Sequence, residues 1–141
     1  LSVFRRLLLS FICLILCVSV CGCLTTADYE LMYDDNVKIA SGSTNLLVGS
    51  VESSLGDVYN WRCTSFSGVY PIKNINTDKA IKLKVDVEEG KFKIVATDGD
   101  AVYKLAEGDF DGEIDFASIP KGNFVIKAVG VEAKFSLKIN S

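Results

Sequence analysis

The chain has 141 residues, 49% of them hydrophobic, a formal net charge of −3 and no histidine. That length suits one domain with its own core and is short for two. The acidic balance argues against nucleic acid, whose phosphates need a concentrated positive patch, and the missing imidazole excludes Ser-His-Asp, Cys-His and His-based zinc chemistry.

At the N-terminus, Arg5 and Arg6 precede a 14-residue apolar stretch from Leu7 to Val20, and a small residue, Gly22, stands before Cys23. Basic, apolar and small regions in that order are the layout of an export signal, expected to be a signal helix over residues 1–22. A retained span is the weaker alternative. The run from Leu7 to Cys23 reaches only about 25 Å at roughly 1.5 Å per residue, against a hydrocarbon core of about 30 Å. The next charges, Asp28 and Glu30, supply no basic stop-transfer cluster.

The segment Val20-Cys21-Gly22-Cys23 resembles the lipobox of bacterial lipoproteins: an aliphatic residue, a small residue, Gly or Ala, then the modified Cys. Cys21 stands where Ala or Ser is more usual. The resemblance implies a diacylglyceryl group on the Cys23 thiol, cleavage just before it, and no other cofactor. It places the mature protein on the cell membrane, lipid-anchored on the extracytoplasmic face. Among the neighbouring cysteines only Cys23 follows a glycine; Cys13, Cys17 and Cys21 read as small apolar residues of the leader. Two acyl chains anchor stably where one is marginal, since each buried methylene contributes about 0.8 kcal/mol. Cys63 is then left without a partner, and no intramolecular disulfide is expected. Loss of residues 1–22 removes two basic residues and no acid, leaving 13 bases against 18 acids, a net charge of −5.

Residues 23–35, including LTTADYELMYDD, show weak periodicity and read as a lipidated tether. From 36 to 141 the signal is period two. Strands are expected near 36–40, 45–51, 57–64 and 69–73. In AIKLKVDV, Ile81, Leu83, Val85 and Val87 alternate with polar residues, the mark of a half-buried strand. Glu89-Gly90 reads as a turn, KFKIVAT as the next strand, Asp98-Gly99 as a hairpin signal and AVYKL as its return. Three more strands follow on Phe110, Ile114 and Phe116, on Phe124, Ile126 and Ala128, and on Ala133, Phe135, Leu137 and Ile139, with turns at Pro120-Lys121-Gly122 and Gly130. No segment carries a helical period. Short strands at this spacing imply an all-β fold, an antiparallel β-sandwich of Ig-like or jelly-roll type, ahead of a closed barrel.

FSGVYPIKNI, KFKIVATDGD and KGNFVIKAVGVEAKFSLKI resemble the uncharacterised all-β domains of small Gram-positive lipoproteins. The closing hairpin is more distantly similar to β-sandwich modules appended to secreted peptidases. These motifs describe strands and turns and transfer no activity.

Three surfaces are candidate sites. Tyr59, Trp61 and Cys63 share a strand face with Tyr70 nearby, and their rings would stack on a sugar or anchor a protein if exposed; burial in a core strand is the favoured reading. Asp109, Asp111 and Asp115 around Gly112 would offer oxygen ligands to calcium, but their spacing alternates with Phe110, Ile114 and Phe116, as on a strand's solvent face. No metal site is therefore assigned, and Asp98-Gly99-Asp100 reads as a turn. Lys82, Lys84, Lys91, Lys93, Lys127, Lys134 and Lys138 either form a basic stripe toward an anionic envelope polymer or simply solubilise sheet faces. The expected function is a non-enzymatic binding or structural module, attached to the membrane through its lipid and able to meet an envelope polymer or protein partner. A calcium-dependent adhesion module, and then a carboxylate-dependent enzyme, are the alternatives.

Overall fold

A computed structural model describes residues 2–3, 5–6 and 24–141. The apolar part of the expected signal, the lipobox residues Val20, Cys21 and Gly22, and the attachment residue Cys23 lie outside the described residues. From Leu24 onward the elements are α1 (Thr26–Tyr33), α2 (Asn36–Ser41), β1 (Asn45–Val48), β2 (Val51–Leu55), β3 (Val58–Asn76), β4 (Ile81–Thr97), β5 (Val102–Glu107), β6 (Phe110–Ile114) and β7 (Asn123–Asn140). Among the described residues no helix is long and apolar enough to cross a membrane.

The fold is all-β and antiparallel, with seven strands in one open sheet of order β1-β3-β7-β4-β5. Its three central strands, β3, β7 and β4, carry 19, 18 and 17 residues. β2 and β1 line successive halves of β3, as β6 and β5 line successive halves of β4. The expected sandwich layers are thus two halves of one sheet, bent until their inner faces meet. Distances within single strands show the bend. Trp61 and Tyr70 are nine residues apart on β3, roughly 30 Å along a straight strand, yet their ring centroids lie 4.8 Å apart. The shared core gathers Trp61, Phe66, Leu83, Val85, Phe92, Ile94, Ile126, Phe135 and Ile139, nearly all fully buried.

The bend runs where Gly68 of β3 faces Gly130 of β7, which faces Phe92 of β4. Ladder registers slip beside this line, between Cys63 and Gly68 in β3 and between Val87 and Lys91 in β4, and such bulges bend strands and increase twist. A Cβ on Gly130 would lie 2.7 Å from Cδ1 of Phe66, while Gly90 has φ +77 with its open side against the Val131 and Glu132 carbonyls. Expected turns at Glu89-Gly90 and Gly130 are therefore corners inside continuous strands. With the expected strands 57–64 and 69–73 likewise joined in β3, 45–51 divided into β1 and β2, and 36–40 helical, seven strands result.

Residues expected as tether and first strand form α1 and α2 instead. In α1 a capping box closes the N-terminus: Asp28 N donates to Thr25 Oγ1 at 3.3 Å and Thr25 N donates to the Asp28 carboxylate at 2.7 Å. Asp35 caps α2 by accepting from Lys38 N. Helices this short are marginal alone and need tertiary contact. Tyr29, Tyr33 and Ile39 supply it, packing on Val69, Val95, Val129 and Val131 from the outer face of the half of the sheet that carries β1 and β5. Polar groups fasten the same seam: Tyr33 Oη donates to Glu107 at 3.0 Å, Lys91 pairs with Glu30 at 2.7 Å, and the Lys93 ammonium lies 4.4 Å from the Tyr33 ring centroid.

Candidate anion-binding sheet face

Among the described residues, the other half of the sheet, β2-β3-β7-β4-β6, has no cover on its outer face. Alternation along β3, β4 and β7 sends Tyr59, Trp61, Leu83, Val85, Phe135, Leu137 and Ile139 into the core and leaves Asn60, Arg62, Lys82, Lys84, Asp86 and Lys138 exposed. Register then sets these side chains in rows. One row reads Ser53, Asn60, Lys138, Lys84, Asp111; the next reads Val51, Arg62, Ser136, Asp86; on the other side Lys82 lies between Asn140 and Glu113.

Two ammonium groups, from Lys84 and Lys138, are directly opposite across β4 and β7. Like charges so placed destabilise a sheet. Neither these lysines, nor Lys82, nor Arg62 has a carboxylate within 4.0 Å, although Asp111 and Glu113 stand opposite Lys84 and Lys82 across β4 and β6. The Lys84, Lys138 and Arg62 heads border a shallow groove of about 420 Å³, whose wall also carries Ser53, Asn60, Ser136 and Asp86. Three cations with hydroxyl and amide groups between them suit a phosphate or carboxylate carried on a chain.

Of the seven lysines in the expected stripe, only Lys82, Lys84 and Lys138 stand on this face without an ion pair; Lys134 also points outward on β7 but is paired with Glu88. Lys91 and Lys134 form ion pairs with Glu30 and Glu88, and Lys93 and Lys127 are buried at 8% exposure on the opposite side of the bend. Lys127 Nζ donates to the carbonyls of Ile39, Ala40 and Gly42 at 3.0, 3.1 and 2.9 Å, closing the C-terminus of α2. Desolvation lowers the pKa of both buried lysines. Arg62, absent from that stripe, joins the face. Its alternation with Trp61 and Cys63 showed that it points outward, but its neighbours depend on register between distant strands.

The aromatic candidates lie in the core. Trp61 is 0% exposed, its Nε1 donating to Ser50 Oγ at 2.8 Å, and Tyr59 is 9% exposed with its hydroxyl donating to Glu52. Tyr70, half-buried, packs on Trp61. These rings form no open stacking platform. Cys63 is buried, its thiol within hydrogen-bonding distance of the Val48 and Ser65 carbonyls.

In the acidic segment, Asp109 accepts from Val87 N at 2.7 Å and Asp115 from Ala117 N at 3.3 Å, while Asp111 lies exposed on β6. Among the described residues no three His, Cys, Asp or Glu side chains converge on a common metal position. Asp98 accepts from Asp100 N and Ala101 N at 2.9 Å each, and these backbone donors hold its carboxyl below the usual range.

Comparisons with family models, with curated protein sequences and with solved structures find no match to this chain.

Proposed function

We propose that this chain is a lipid-anchored extracytoplasmic binding module whose open sheet face holds an anionic polymer of the cell envelope. The observation that carries the binding reading is the Lys84–Lys138 opposition beside Arg62. Like charges set opposite each other cost stability, offset only in part by Asp111 across from Lys84, and such a local conflict is the kind expected at functional sites. Binding, rather than catalysis, accords with a histidine-free sequence in which no nucleophile–base pair stands out.

Anchoring rests on the export-signal layout and the lipobox-like Val20-Cys21-Gly22-Cys23. Since α1 begins at Thr26, Cys23 is only three residues from folded structure, a reach of about 10 Å at roughly 3.5 Å per residue. The bilayer would then lie close beneath the helix-covered side of the domain.

Two experiments test the parts separately. Radiolabelled fatty acid should enter the wild-type protein and not Cys23→Ser; labelling that persists in the variant removes the assigned attachment site. For binding, the full chain in detergent is titrated with inorganic polyphosphate and with polygalacturonate. Binding should weaken as salt rises, and Lys84→Gln with Lys138→Gln should lower affinity about tenfold or more at low salt. Affinity unchanged by the double substitution rules out this face.

A further inference from the structure

β2 is an edge strand whose five residues are all exposed, with Val51 at 61% and Leu55 at 85%. It enters a two-residue turn, Gly56-Asp57, with Gly56 at φ +60, the type II′ geometry that makes Leu55 and Val58 a hydrogen-bonded pair. Counting back from that pair, Val51, Ser53 and Leu55 direct their main-chain groups at β3, and Glu52 and Ser54 direct theirs outward. Among the described residues, no hydrogen bond with a turn, loop or side chain engages the main chain of Glu52 or Ser54. Edges are usually guarded by lysine, proline, a bulge or an inward charge. The opposite edge, β6, carries Asp111 and Glu113 on its solvent face, whereas β2 has no charge on its solvent face and a single one, Glu52, on the inner face opposite Trp61, where Tyr59 Oη donates to its carboxylate.

We propose that β2 is a self-pairing edge, at which two copies of this chain join antiparallel about a twofold axis through Ser53. VESSL is nearly symmetric about its centre, which is the argument for a second copy over an unrelated extended peptide. With Ser53 opposite Ser53, Val51 meets Leu55, and Glu52 meets Ser54. Apolar side chains cover each other on the outer face, no like charges oppose, and the outward main-chain groups of Glu52 and Ser54 form the hydrogen-bonded pairs. The contact is isologous, as a closed dimer requires. Strands of this length bury less than the roughly 1,200 Å² of stable complexes, so pairing is weak and concentration-dependent.

The test is site-directed cross-linking of the full chain in detergent, with links mapped by peptide mass spectrometry so that the native cysteines do not confuse the result. A non-hydrogen-bonded antiparallel pair brings Cα atoms to about 4.5 Å, within disulfide reach. Ser53→Cys should therefore give a 53–53 link about tenfold or more above the 113–113 link of Glu113→Cys, on the guarded edge. In the Ser53→Cys background, Ser54→Pro removes an outward N–H without touching the β2–β3 ladder, and should reduce the link by a similar factor while Trp61 fluorescence stays native. Val51→Lys, which needs no backbone change, serves the same purpose if the proline variant does not fold. A 53–53 link no stronger than the control, or one undiminished in a folded edge variant, overturns the proposal.

Discussion

The rings of Phe92 and Phe135 stack with centroids 4.0 Å apart and planes inclined by 28°, joining two halves of one sheet across its own bend. Phe135 also meets Trp61 edge-on at 4.7 Å and Phe66 at 5.9 Å, so a single side chain links β3, β4 and β7 on both sides of the corner. Phe135→Ala should destabilise the domain by about 3–5 kcal/mol, as other large aromatic truncations in cores do. Denaturant unfolding followed by Trp61 fluorescence measures this, and a loss below about 1 kcal/mol would mean that the two halves do not share a core.

Gly90 distinguishes a corner from a surface turn. Its φ of +77 disfavours any L side chain, and the Val131 and Glu132 carbonyls occupy the place a Cβ would take. Gly99, at φ +103 in the β4–β5 turn, has nothing within 4 Å of that place. Gly90→Ala should therefore cost clearly more than Gly99→Ala, by about 1–3 kcal/mol from the added overlap. Equal losses would place residue 90 in an open turn.

Lys127→Met keeps the apolar stem and removes the ammonium from the carbonyls of Ile39, Ala40 and Gly42. Those last-turn carbonyls have no intrahelical partner, and leaving buried acceptors unsatisfied costs about 1–3 kcal/mol. Amide exchange should quicken in residues 36–41 while β3, β4 and β7 keep their protection. Unaltered exchange in α2 would show that the lysine does not hold the helix.

Alkaline pH should destabilise the fold over a definable window. Desolvation, with Glu52 beside it, pushes the Tyr70 phenol up to about 12 from 10.0, and burial likewise raises Tyr33 and Tyr59. A raised folded pKa contributes stability that is intact below the unfolded value and is lost as pH climbs through the folded one. Lys91 and Lys134, raised by Glu30 and Glu88, act in the same direction above 10.5. Lys93 and Lys127 are lowered by desolvation, so their opposing gain with pH is complete once the unfolded lysines lose their protons near 10.5. Stability should fall from about pH 10.5 to 12. Tyr59→Phe and Tyr33→Phe should each flatten that fall; a slope unchanged in both would show that these phenols ionise alike folded and unfolded.

Period-two alternation alone assigned the inner face of every long strand, because a half-buried strand must separate apolar from polar side chains residue by residue. Hence Ile81, Leu83 and Val85, and Phe135, Leu137 and Ile139, were legible as core, and Lys82, Lys84 and Lys138 as outward. The runs Ile94-Val95-Ala96 and Ala128-Val129-Gly130-Val131 carried a further signal: apolar residues at both parities mean cover on both faces. What supplies that cover was not legible, since α1 and α2 are too short to display a helical period, although Thr25 and Asp28 stand at capping-box spacing. Only tertiary structure decided that Gly90 and Gly130 turn a corner without ending a strand. A glycine fits a hairpin or a bulge equally well, and the choice falls to neighbouring strands that remain paired on both sides of it. The same long-range register set Lys84 against Lys138 beside Arg62 and sent Lys127 beneath a helix, because alternation tells a side chain which way to face but not which strand lies next to it.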